Sequence, residues 1–452
     1  MDRLGTGNPQ LDSILHGGFP RGSINVVAGS PGSGKTILAQ QLAFANARSD
    51  RPVLYLSTLS EPLAKLVGYL QQMAFADIEL IGSGVIYDSL SEDLKDTPDR
   101  IPGRMLELIQ QHRPGVIVID SFKALADLMP DPQVARRGIF ELASLLTAYD
   151  TTSFWVGEYC AGAEDGRLEF SIADGIVELS REQTGSRDER FLRIAKLRGS
   201  AFRGGSHAFD ITGAGIRVYP RLLGPPGDRY ELATERLQSG IQGLDEMIEA
   251  GWLRGTSTLV AGPSGAGKTM LGLHFLRQGV EDGEPGLLVN FQENPAQLRR
   301  VMRSLGWDPE NLVRPERLDV LYSSPIELKI DSIVEELFRR IEEHGVRRIV
   351  LDALADLERS AADSRRFRDY MYALTPHFAA RGVTAMLALE AEPQDRFSQG
   401  NEVEFMSDNI VLLSMELGTE LQRTIRILKS RGSAHDGRKH VLRINGGGIV
   451  VE

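Results

Sequence analysis

The feature that most constrains the fold of this chain is a glycine-rich loop that occurs twice. Each copy contains one lysine, and these lysines, Lys35 and Lys268, lie 233 residues apart. The copies read GSPGSGKT and GPSGAGKT, and both fit the pattern G-x-x-x-x-G-K-[ST]. Glycines let the backbone curl so that successive N–H groups point at phosphate oxygens, and the lysine adds a positive charge beside them. The pattern requires a strand before the loop and a helix after it. It therefore predicts a nucleotide-binding α/β fold that is present twice.

Each loop supplies a predicted set of phosphate ligands, and the threonine that closes it is expected to bind Mg²⁺ through its hydroxyl. In the first copy the set is Gly29, Ser30, Pro31, Gly32, Ser33, Gly34, Lys35 and Thr36. In the second copy it is Gly262, Pro263, Ser264, Gly265, Ala266, Gly267, Lys268 and Thr269. Two full-length matches inside one repeated frame make a chance match a poor explanation.

The duplication extends through almost the whole chain. The Leu-Asp pair at Leu11 recurs at Leu244, and the segment KLRGS at Lys196 recurs as KSRGS at Lys429. Two repeats of about 225 residues fit this register better than the three domains that chain length alone suggests. Glycines and prolines near residue 225 interrupt the apolar pattern. We therefore predict two domains and a linker, at residues 1–224, 234–452 and 225–233.

Apolar runs around each loop have the length and composition of buried strands. The order strand, loop, helix is predicted at Ser23–Ala28 and Thr36–Arg48, and again at Ser257–Ala261 and Thr269–Gln278. Further parallel strands are predicted at Val53–Leu56, Val116–Ile119 and Phe154–Val156, and antiparallel strands at Phe191–Leu197 and His207–Tyr219. Each repeat is thus predicted to be an α/β domain with a mainly parallel central sheet and helices on both faces.

Composition narrows the class of protein further. A content of 42% hydrophobic and 25% charged residues is that of an ordinary globular protein. The amino-terminal residues lack an apolar signal segment, and no window approaches the ~20 apolar residues of a membrane span, so we expect a cytoplasmic protein without membrane contact. The single cysteine, Cys160, cannot form an internal disulfide. A formal net charge of −11 argues against nucleic-acid binding by the whole surface and leaves room only for a local basic channel.

An acidic residue closes a buried apolar run in each repeat. Asp120 ends the run VIVID, and Asp352 ends RIVLD. The carboxyl end of such a strand lies at the same sheet edge as the glycine loop. Both aspartates are therefore candidates to hold Mg²⁺ through water, as the second element of a nucleotide-hydrolysis site. The alternative is an aspartate that caps the helix that follows.

Hydrolysis also needs a group that orients or deprotonates the attacking water. In the second repeat, LLVNFQENP places Gln292 and Glu293 after the next strand, where LYLSTLSEP in the first repeat has Leu59 and Ser60. Glu61 would serve only if the loop shifted by one residue. We predict that Glu293 is catalytic and lies beside the metal, the alternative being a solvated turn glutamate. The predicted catalytic residues are then Glu293, Lys268 and Asp352, with Lys35 and Asp120 in the first repeat.

The repeated segments KLRGS and KSRGS carry two cations each. A lysine and an arginine two residues apart on a strand project from the same face. Such a pair is usually a solvated face, but its recurrence beside intact phosphate loops also fits a phosphate clamp that a neighbouring subunit supplies. The spacing alone leaves both interpretations open.

Together these residues resemble the KaiC family of RecA-like ATPases over essentially the whole chain. The markers are both phosphate loops, the turns GGFPRG and AGWLRG before them, the strand-end aspartates, and the segments EFSIADGIV and EFMSDNIV followed by KLRGS and KSRGSAHD. The resemblance implies two stacked RecA-like domains in a homo-oligomer, a hexameric ring with ATP or ADP and Mg²⁺ between subunits. It also implies nucleotide contacts by Lys196, Leu197, Arg198, Ser200, Lys429, Ser430, Arg431, Ser433 and His435.

The resemblance makes an ATPase our main hypothesis. The family carries adjacent glutamates after the second strand, and this chain has Leu59-Ser60 in one repeat and Gln292-Glu293 in the other. We therefore expect hydrolysis mainly in the second domain and a largely structural ATP site in the first. A signalling protein partner is compatible with this hypothesis, whereas nucleic acid is not expected.

Three other functions are alternatives. The first is a Ser/Thr autokinase and autophosphatase of a signalling or clock-like system. The clock member of the family phosphorylates a neighbouring Ser and Thr where this chain has Glu404 and Phe405, with Ser407 as the nearest hydroxyl. The second is a RecA-type DNA-dependent recombination or motor ATPase, which would need a cluster of basic residues. The third is a signalling scaffold that binds nucleotide without turnover.

Overall fold

A computed structural model describes residues 2–58, 63–90, 101–127, 132–159, 167–184, 187–225, 233–249, 251–324, 328–361, 363–391, 406–417 and 421–452. The chain divides into two units, Met1–Arg221 and Leu222–Glu452. Several residues singled out above lie outside the described ranges: Leu59, Ser60, Glu61, Cys160, Glu404 and Phe405.

The first unit contains strands β1 to β11 and helices α1 to α7 in its described ranges. The strands are Arg3–Leu4, Phe19–Pro20, Ile24–Gly29, Val53–Ser57, Val85–Ser89, Val116–Asp120, Thr152–Glu158, Gly175–Thr184, Arg187–Leu197, Ser206–Thr212 and Gly215–Tyr219. The helices are Pro9–Ile14, Lys35–Ala45, Leu63–Leu70, Ile101–His112, Phe122–Asp127, Pro132–Ala148 and Leu168–Ile172, with a 3₁₀ turn at Ile78–Leu80.

The second unit repeats this plan with strands β12 to β22 and helices α8 to α14 in its described ranges. The strands are Arg236–Leu237, Trp252–Leu253, Ser257–Gly262, Gly286–Asn290, Leu318–Tyr322, Arg348–Asp352, Thr384–Glu390, Asn409–Leu417, Leu421–Ser430, His440–Asn445 and Gly448–Val451. The helices are Gln242–Glu246, Lys268–Glu281, Pro295–Ser304, Pro309–Leu312, Ile330–His344, Leu354–Ser360 and Ser364–Ala380.

One large sheet organises each unit, and the strand order is the same in both. The first sheet runs β11-β10-β9-β8-β3-β7-β6-β4-β5, and the second runs β22-β21-β20-β19-β14-β18-β17-β15-β16. Strands β3 to β8 pair in parallel, whereas β9, β10 and β11 are added antiparallel at one side. The predicted fold class, two tandem RecA-like α/β domains, is confirmed.

The strand that enters each phosphate loop lies inside its sheet, with neighbours on both sides. All six residues of β3 are buried, and so are those of β14. Alternate side chains project to opposite faces, so Val27 packs into one apolar cluster while Val26 and Ala28 pack into another. A core on both faces holds the loop at the carboxyl edge of a rigid sheet.

The helices after the loops differ slightly from their predicted bounds. Both begin at the loop lysine, one residue earlier than predicted, because the preceding glycine is left-handed and ends the loop. Helix α2 ends at Ala45, where the Asn46 amide donates to the Leu42 carbonyl oxygen at 2.9 Å. Helix α9 continues to Glu281. Among the helices in the described ranges, none combines the length and the apolar character that crossing a membrane requires.

Candidate nucleotide-binding sites

The first glycine of each loop is pressed against the neighbouring strand. A Cβ atom at Gly29 would lie 2.3 Å from the carbonyl oxygen of Leu179, and one at Gly262 would lie 2.5 Å from that of Leu413. No side chain fits at such distances. The last glycines, Gly34 and Gly267, have φ values of 103° and 110° and stand directly before the helices. Each loop therefore leads directly into a helix N-terminus, an arrangement that favours a bound phosphate.

The loop lysines fold back over the loops that carry them. The Lys35 Nζ atom donates to the Ser30 carbonyl oxygen at 2.9 Å, and the Lys268 Nζ atom donates to the carbonyl oxygens of Gly262 and Pro263 at 2.8 and 2.9 Å. Burial lowers the pKa of both amines, and neighbouring carboxylates partly oppose this. Each lysine thus carries its charge within the curve of the loop, where phosphate oxygens would lie.

The structure brings the loop threonines together with the strand-end aspartates. The Thr36 hydroxyl donates to Asp120 Oδ2 at 2.9 Å, and the Thr269 hydroxyl donates to Asp352 Oδ2 at 2.6 Å. Burial raises the pKa of both carboxyls, and the threonine hydrogen bonds oppose that rise. The peptide bond that follows each aspartate is cis. Helix capping does not explain Asp352, because Ala353 occupies the N-cap position of α13.

This pairing fits Mg²⁺, which proteins usually bind with one or two carboxylates, waters and the phosphates of the nucleotide. Within the described ranges, no group of three or more His, Cys, Asp or Glu side chains could hold a metal by itself. The hydroxyl of Thr36 or Thr269 and the adjacent carboxylate therefore suit a metal that arrives with phosphate.

A cavity of about 530 Å³ opens beside the first loop. It is lined by Gly32, Gly34, Lys35, Thr36, Ile37, Asp120, Ser121, Lys123, Ala124, Asp127, Glu158 and Ile211. Two amines and three carboxylates therefore face one space beside the phosphate loop. This is the charge mixture that suits a phosphate chain with a divalent cation.

Glu293 lies in the second site as a half-buried carboxylate next to Asp352. Its Oε2 atom is buried and has no hydrogen-bond partner among the described residues. Burial raises the pKa of Glu293, and the Asp352 charge raises it further. The turn is fixed by Asn290, whose Oδ1 atom accepts from the backbone N–H groups of Gln292 and Glu293 at 2.9 and 2.8 Å. A half-buried carboxylate with a raised pKa and one buried oxygen without a hydrogen-bond partner among the described residues has the properties of a general base.

Gln292 ties the same turn to the helix behind Asp352. Its Nε2 atom donates to Asp356 Oδ2 at 2.8 Å, and the Arg359 guanidinium donates to Asp356 Oδ1 at 2.8 Å. The Asp356 side chain is buried, so both donors satisfy a carboxylate that water does not reach. The turn that presents Glu293 is therefore anchored by side chains as well as by backbone.

The cations of KLRGS and KSRGS lie at the opposite edge of each sheet from the phosphate loop. Leu197 pairs with Gly175, which pairs with Asn25 near the start of β3, while the loop follows Gly29. Roughly 13 Å of strand separates the two edges. The second sheet repeats the arrangement, since Ser430 pairs with Asn409. The structure does not bring these cations to the phosphate loop of their own unit.

At this edge both lysines and both arginines are held by local acceptors. The Lys196 Nζ atom donates to the Phe170 carbonyl oxygen at 3.1 Å, and Lys429 Nζ donates to that of Ser407 at 2.6 Å. The remaining contacts are Arg198 with Asp174 at 3.6 Å and Arg431 with Asp408 at 4.0 Å.

The other predicted nucleotide contacts share this edge and differ in exposure. Leu197 is buried, and the Ser200 hydroxyl accepts from the Arg3 guanidinium at 2.8 Å. The Ser430 hydroxyl donates to Asn409 Oδ1 at 3.0 Å. Ser433 is half-buried and His435 is exposed. His435 is thus accessible to a ligand.

Three kinds of site residue escape the reasoning from sequence. Glu158 and Glu390 end the strands beside the loop strands, where they face Lys35 and Lys268. Both glutamates could have been found by the rule that selects Asp120, because each of them is also an acidic residue that closes an apolar run. Arg423 donates to the carbonyl oxygen of Gly265 at 3.0 Å. The third is a tyrosine hydroxyl at the first metal site. Nothing in the local sequence indicates the last two contacts.

Paired phosphate loops on RecA-like sheets, each with a hydroxyl and a carboxylate beside it, define a tandem P-loop NTPase. Residues 4–222 and 237–452 each match the family model described as the KaiC ATPase. The chain therefore belongs to the KaiC family of ATPases.

Curated relatives match nearly the whole chain. The circadian clock oscillator protein KaiC of Rippkaea orientalis is 28% identical over 461 residues, which cover 98% of this chain and 87% of the relative. KaiC of Picosynechococcus sp. is 29% identical over 464 residues, with coverages of 98% and 88%. KaiC 1 of Synechocystis sp. is 29% identical over 445 residues, with coverages of 94% and 84%.

Proposed function

We propose that this protein is an oligomeric ATPase that hydrolyses ATP mainly in its second domain and holds ATP in its first domain as a structural ligand. The observation that carries the proposal is Glu293, whose buried Oε2 atom has no hydrogen-bond partner among the described residues and whose carboxylate lies next to Asp352. By sequence, the first domain has Ser60 at the equivalent position.

In the second domain each residue has a separate task. The backbone N–H groups of the loop and the Lys268 amine bind the β- and γ-phosphates. Thr269 and Asp352 would hold Mg²⁺, which neutralises phosphate charge when bound. Glu293 accepts a proton from the attacking water, whose oxygen forms the new bond to the γ-phosphorus while the bond to the bridging oxygen breaks. The raised pKa of Glu293 makes its carboxylate a better base than an exposed glutamate.

The first domain binds ATP in this proposal through Lys35, Thr36 and Asp120 and turns it over slowly. With no carboxylate aligned with Glu293, the attacking water lacks a base on that side. A retained nucleotide would then add contacts between subunits and hold the assembly together.

The second partner in each site would be another copy of the chain. Since Lys196, Arg198, Lys429 and Arg431 lie at the sheet edge away from their own loops, a neighbouring subunit is the source that can present them to phosphate. This supports a closed homo-oligomer, a hexameric ring in our proposal, with nucleotide between subunits.

Autophosphorylation at the nearest hydroxyl is disfavoured. Ser407 has 0% exposure and precedes the strand that pairs with the loop strand. A phosphoryl group added there would require local unfolding of this sheet edge. We therefore place the kinase alternative behind hydrolysis.

Phosphate release with Mg²⁺ and ATP tests the proposal. The wild-type chain is compared with Glu293→Gln and Lys268→Ala, and both variants are expected to lose at least 100-fold in kcat, the scale of general base catalysis. Mass photometry with and without ATP accompanies the assay, so that lost assembly is separated from lost chemistry. Undiminished turnover in both variants would overturn the proposal.

A further inference from the structure

A buried tyrosine hydroxyl contacts Asp120, the aspartate of the first candidate metal site. Tyr55 lies in the middle of β4, is 3% exposed, and donates its hydroxyl proton to Asp120 Oδ2 at 2.9 Å. The Thr36 hydroxyl donates to the same oxygen at 2.9 Å. Two hydroxyls thus converge on one oxygen of the carboxylate, and the second oxygen, Oδ1, takes neither.

Tyr55 belongs to a buried polar layer beneath the phosphate-loop helix. Its ring packs against that of Tyr87 with centroids 5.3 Å apart. The Tyr87 hydroxyl donates to Gln40 Oε1 at 2.6 Å, on the buried face of α2. Burial raises the pKa of both phenols, so both hydroxyls keep their protons and act as donors.

The second domain has an apolar layer at the same place. At the repeat spacing, Tyr55, Tyr87 and Gln40 correspond to Leu288, Val320 and Leu273. Leu288 and Leu273 are buried in the core cluster of that domain, and Val320 packs against it. Asp352 therefore has Thr269 on its Oδ2 atom, and among the described residues no tyrosine hydroxyl donates to it.

We propose that Tyr55 is a positioning residue for the metal of the first nucleotide site, where its phenol restrains the Asp120 carboxylate that would hold Mg²⁺. The inference rests on the proposed function, since it assumes that the first domain binds nucleotide with Mg²⁺. A restrained Asp120 would help the first site to retain its ligand, although by sequence that domain has no glutamate aligned with Glu293.

The chemistry of a buried carboxylate gives the direction of the effect. A hydrogen bond to a charged group is stronger than one between neutral groups, and an unsatisfied buried carboxylate is free to turn towards other donors. The phenol and the Thr36 hydroxyl restrain Oδ2 together, and rotation of the carboxylate is thereby limited. When the phenol hydroxyl is removed, Thr36 is the one hydroxyl among the described residues that restrains Asp120, and the carboxylate that would hold the metal is less ordered.

The test is a Mg²⁺ titration of nucleotide binding to the full chain carrying Lys268→Ala, so that binding reports on the first domain. A fluorescent ATP analogue is the probe. We expect Tyr55→Phe to raise the Mg²⁺ concentration at half-saturation about tenfold. Affinity for the analogue in EDTA should stay unchanged, which a general loss of structure would not allow.

Tyr87→Phe is the matched control, because it removes one buried phenol hydroxyl of the same layer that does not touch Asp120. It should leave the Mg²⁺ midpoint in place. Tyr55→Leu, which installs the residue of the second domain, should repeat the shift and guards against an effect peculiar to phenylalanine. An unchanged midpoint in both folded Tyr55 variants, or an equal shift with Tyr87→Phe, would overturn the proposal.

A Lys35→Ala variant in the same background separates this inference from the function beneath it. If binding of the analogue survives Lys35→Ala, the assumed nucleotide site of the first domain is wrong. If Lys35→Ala abolishes binding while the Tyr55 variants titrate like their parent, the role of Tyr55 alone is wrong.

Discussion

The two domains share every element of the phosphate grip and differ in the side chains that surround it. Both have a loop glycine pressed against the next strand, a lysine folded over the loop, and a threonine bonded to a strand-end aspartate. The second domain adds Glu293 beside its aspartate, whereas the first adds Tyr55 beneath its own. One addition suits proton abstraction and the other suits retention.

On our proposal, the two copies of one fold divide their functions while the strand order stays the same in both. The frame is set by backbone packing, because the strand order is the same in both units and the first loop glycines lie too close to the neighbouring strand for a side chain. Chemistry is set by a few side chains whose exchange leaves that packing intact. Three experiments test whether these side chains, and not the frame, make the domains unequal.

The largest expected effect is a transfer of the carboxylate. In a chain that carries Glu293→Gln, the further change Ser60→Glu should give the first domain a carboxylate at the sequence position that aligns with Glu293, and should raise phosphate release about 100-fold over the parent variant. Steady-state phosphate release measures it. Ser60→Gln is the matched control and should give no gain. A chain with Ser60→Glu that stays as slow as its parent would show that more than this glutamate separates the domains.

The second experiment concerns a repeated position that is a histidine, His274, in the second domain and a glutamine, Gln41, in the first. His274 is 8% exposed, and its Nε2 atom accepts from the Ile449 backbone N–H at 3.2 Å, while Gln41 makes the same bond to Ile216 at 3.0 Å. Burial lowers the pKa of His274 to about 4; the Arg277 charge lowers it further, and the Glu281 charge partly opposes the fall.

The unfolded chain therefore takes up a proton near pH 6.5, before the folded one does. Stability of the second domain should fall as the pH drops from about 6.5 to 4, by on the order of 2 kcal/mol. Denaturant unfolding followed by tryptophan fluorescence measures this fall. His274→Gln should remove it, and the reciprocal Gln41→His should create it in the first domain. Equal pH profiles in wild type and His274→Gln would contradict the assignment.

The smallest expected effect concerns the anchor of the catalytic turn. Gln292→Leu removes the hydrogen bond to Asp356, and we expect kcat to fall about tenfold with little change in KM, since the turn is loosened and the phosphate grip is not. Arg359→Ala leaves that bond in place and should change kcat less. Steady-state kinetics compare them. A larger loss with Arg359→Ala would assign the effect to the burial of Asp356 and not to the turn.

Much of the fold could be predicted because its signals are local. The loop pattern requires a strand and a helix around it, and parallel strands buried on both faces appear as continuous apolar runs such as VIVID. The proximity of Thr36 and Asp120 also follows, since carboxyl ends of parallel strands share one edge of the sheet.

The remaining features depend on tertiary neighbours that no local pattern encodes. Tyr55 looks like an ordinary strand residue until the sheet order places its hydroxyl beneath Asp120. Gln292 looks like a turn residue until α13 brings Asp356 to it. The distance of Lys196 from its own loop requires the pairing of β8 with both β3 and β9. Such contacts join residues far apart in sequence.

The placement of the cations at the far edge of each sheet limits the assemblies in which every nucleotide site can be complete. If one chain brings the loop and the next brings the clamp, a chain alone completes no site. In an open row of chains, the loop at one end has no neighbouring clamp, and the clamp at the other end has no neighbouring loop. Only a closed ring gives every loop a clamp. On our proposal, nucleotide binding therefore favours rings over open rows of chains, and assembly ends when the first and last chains meet.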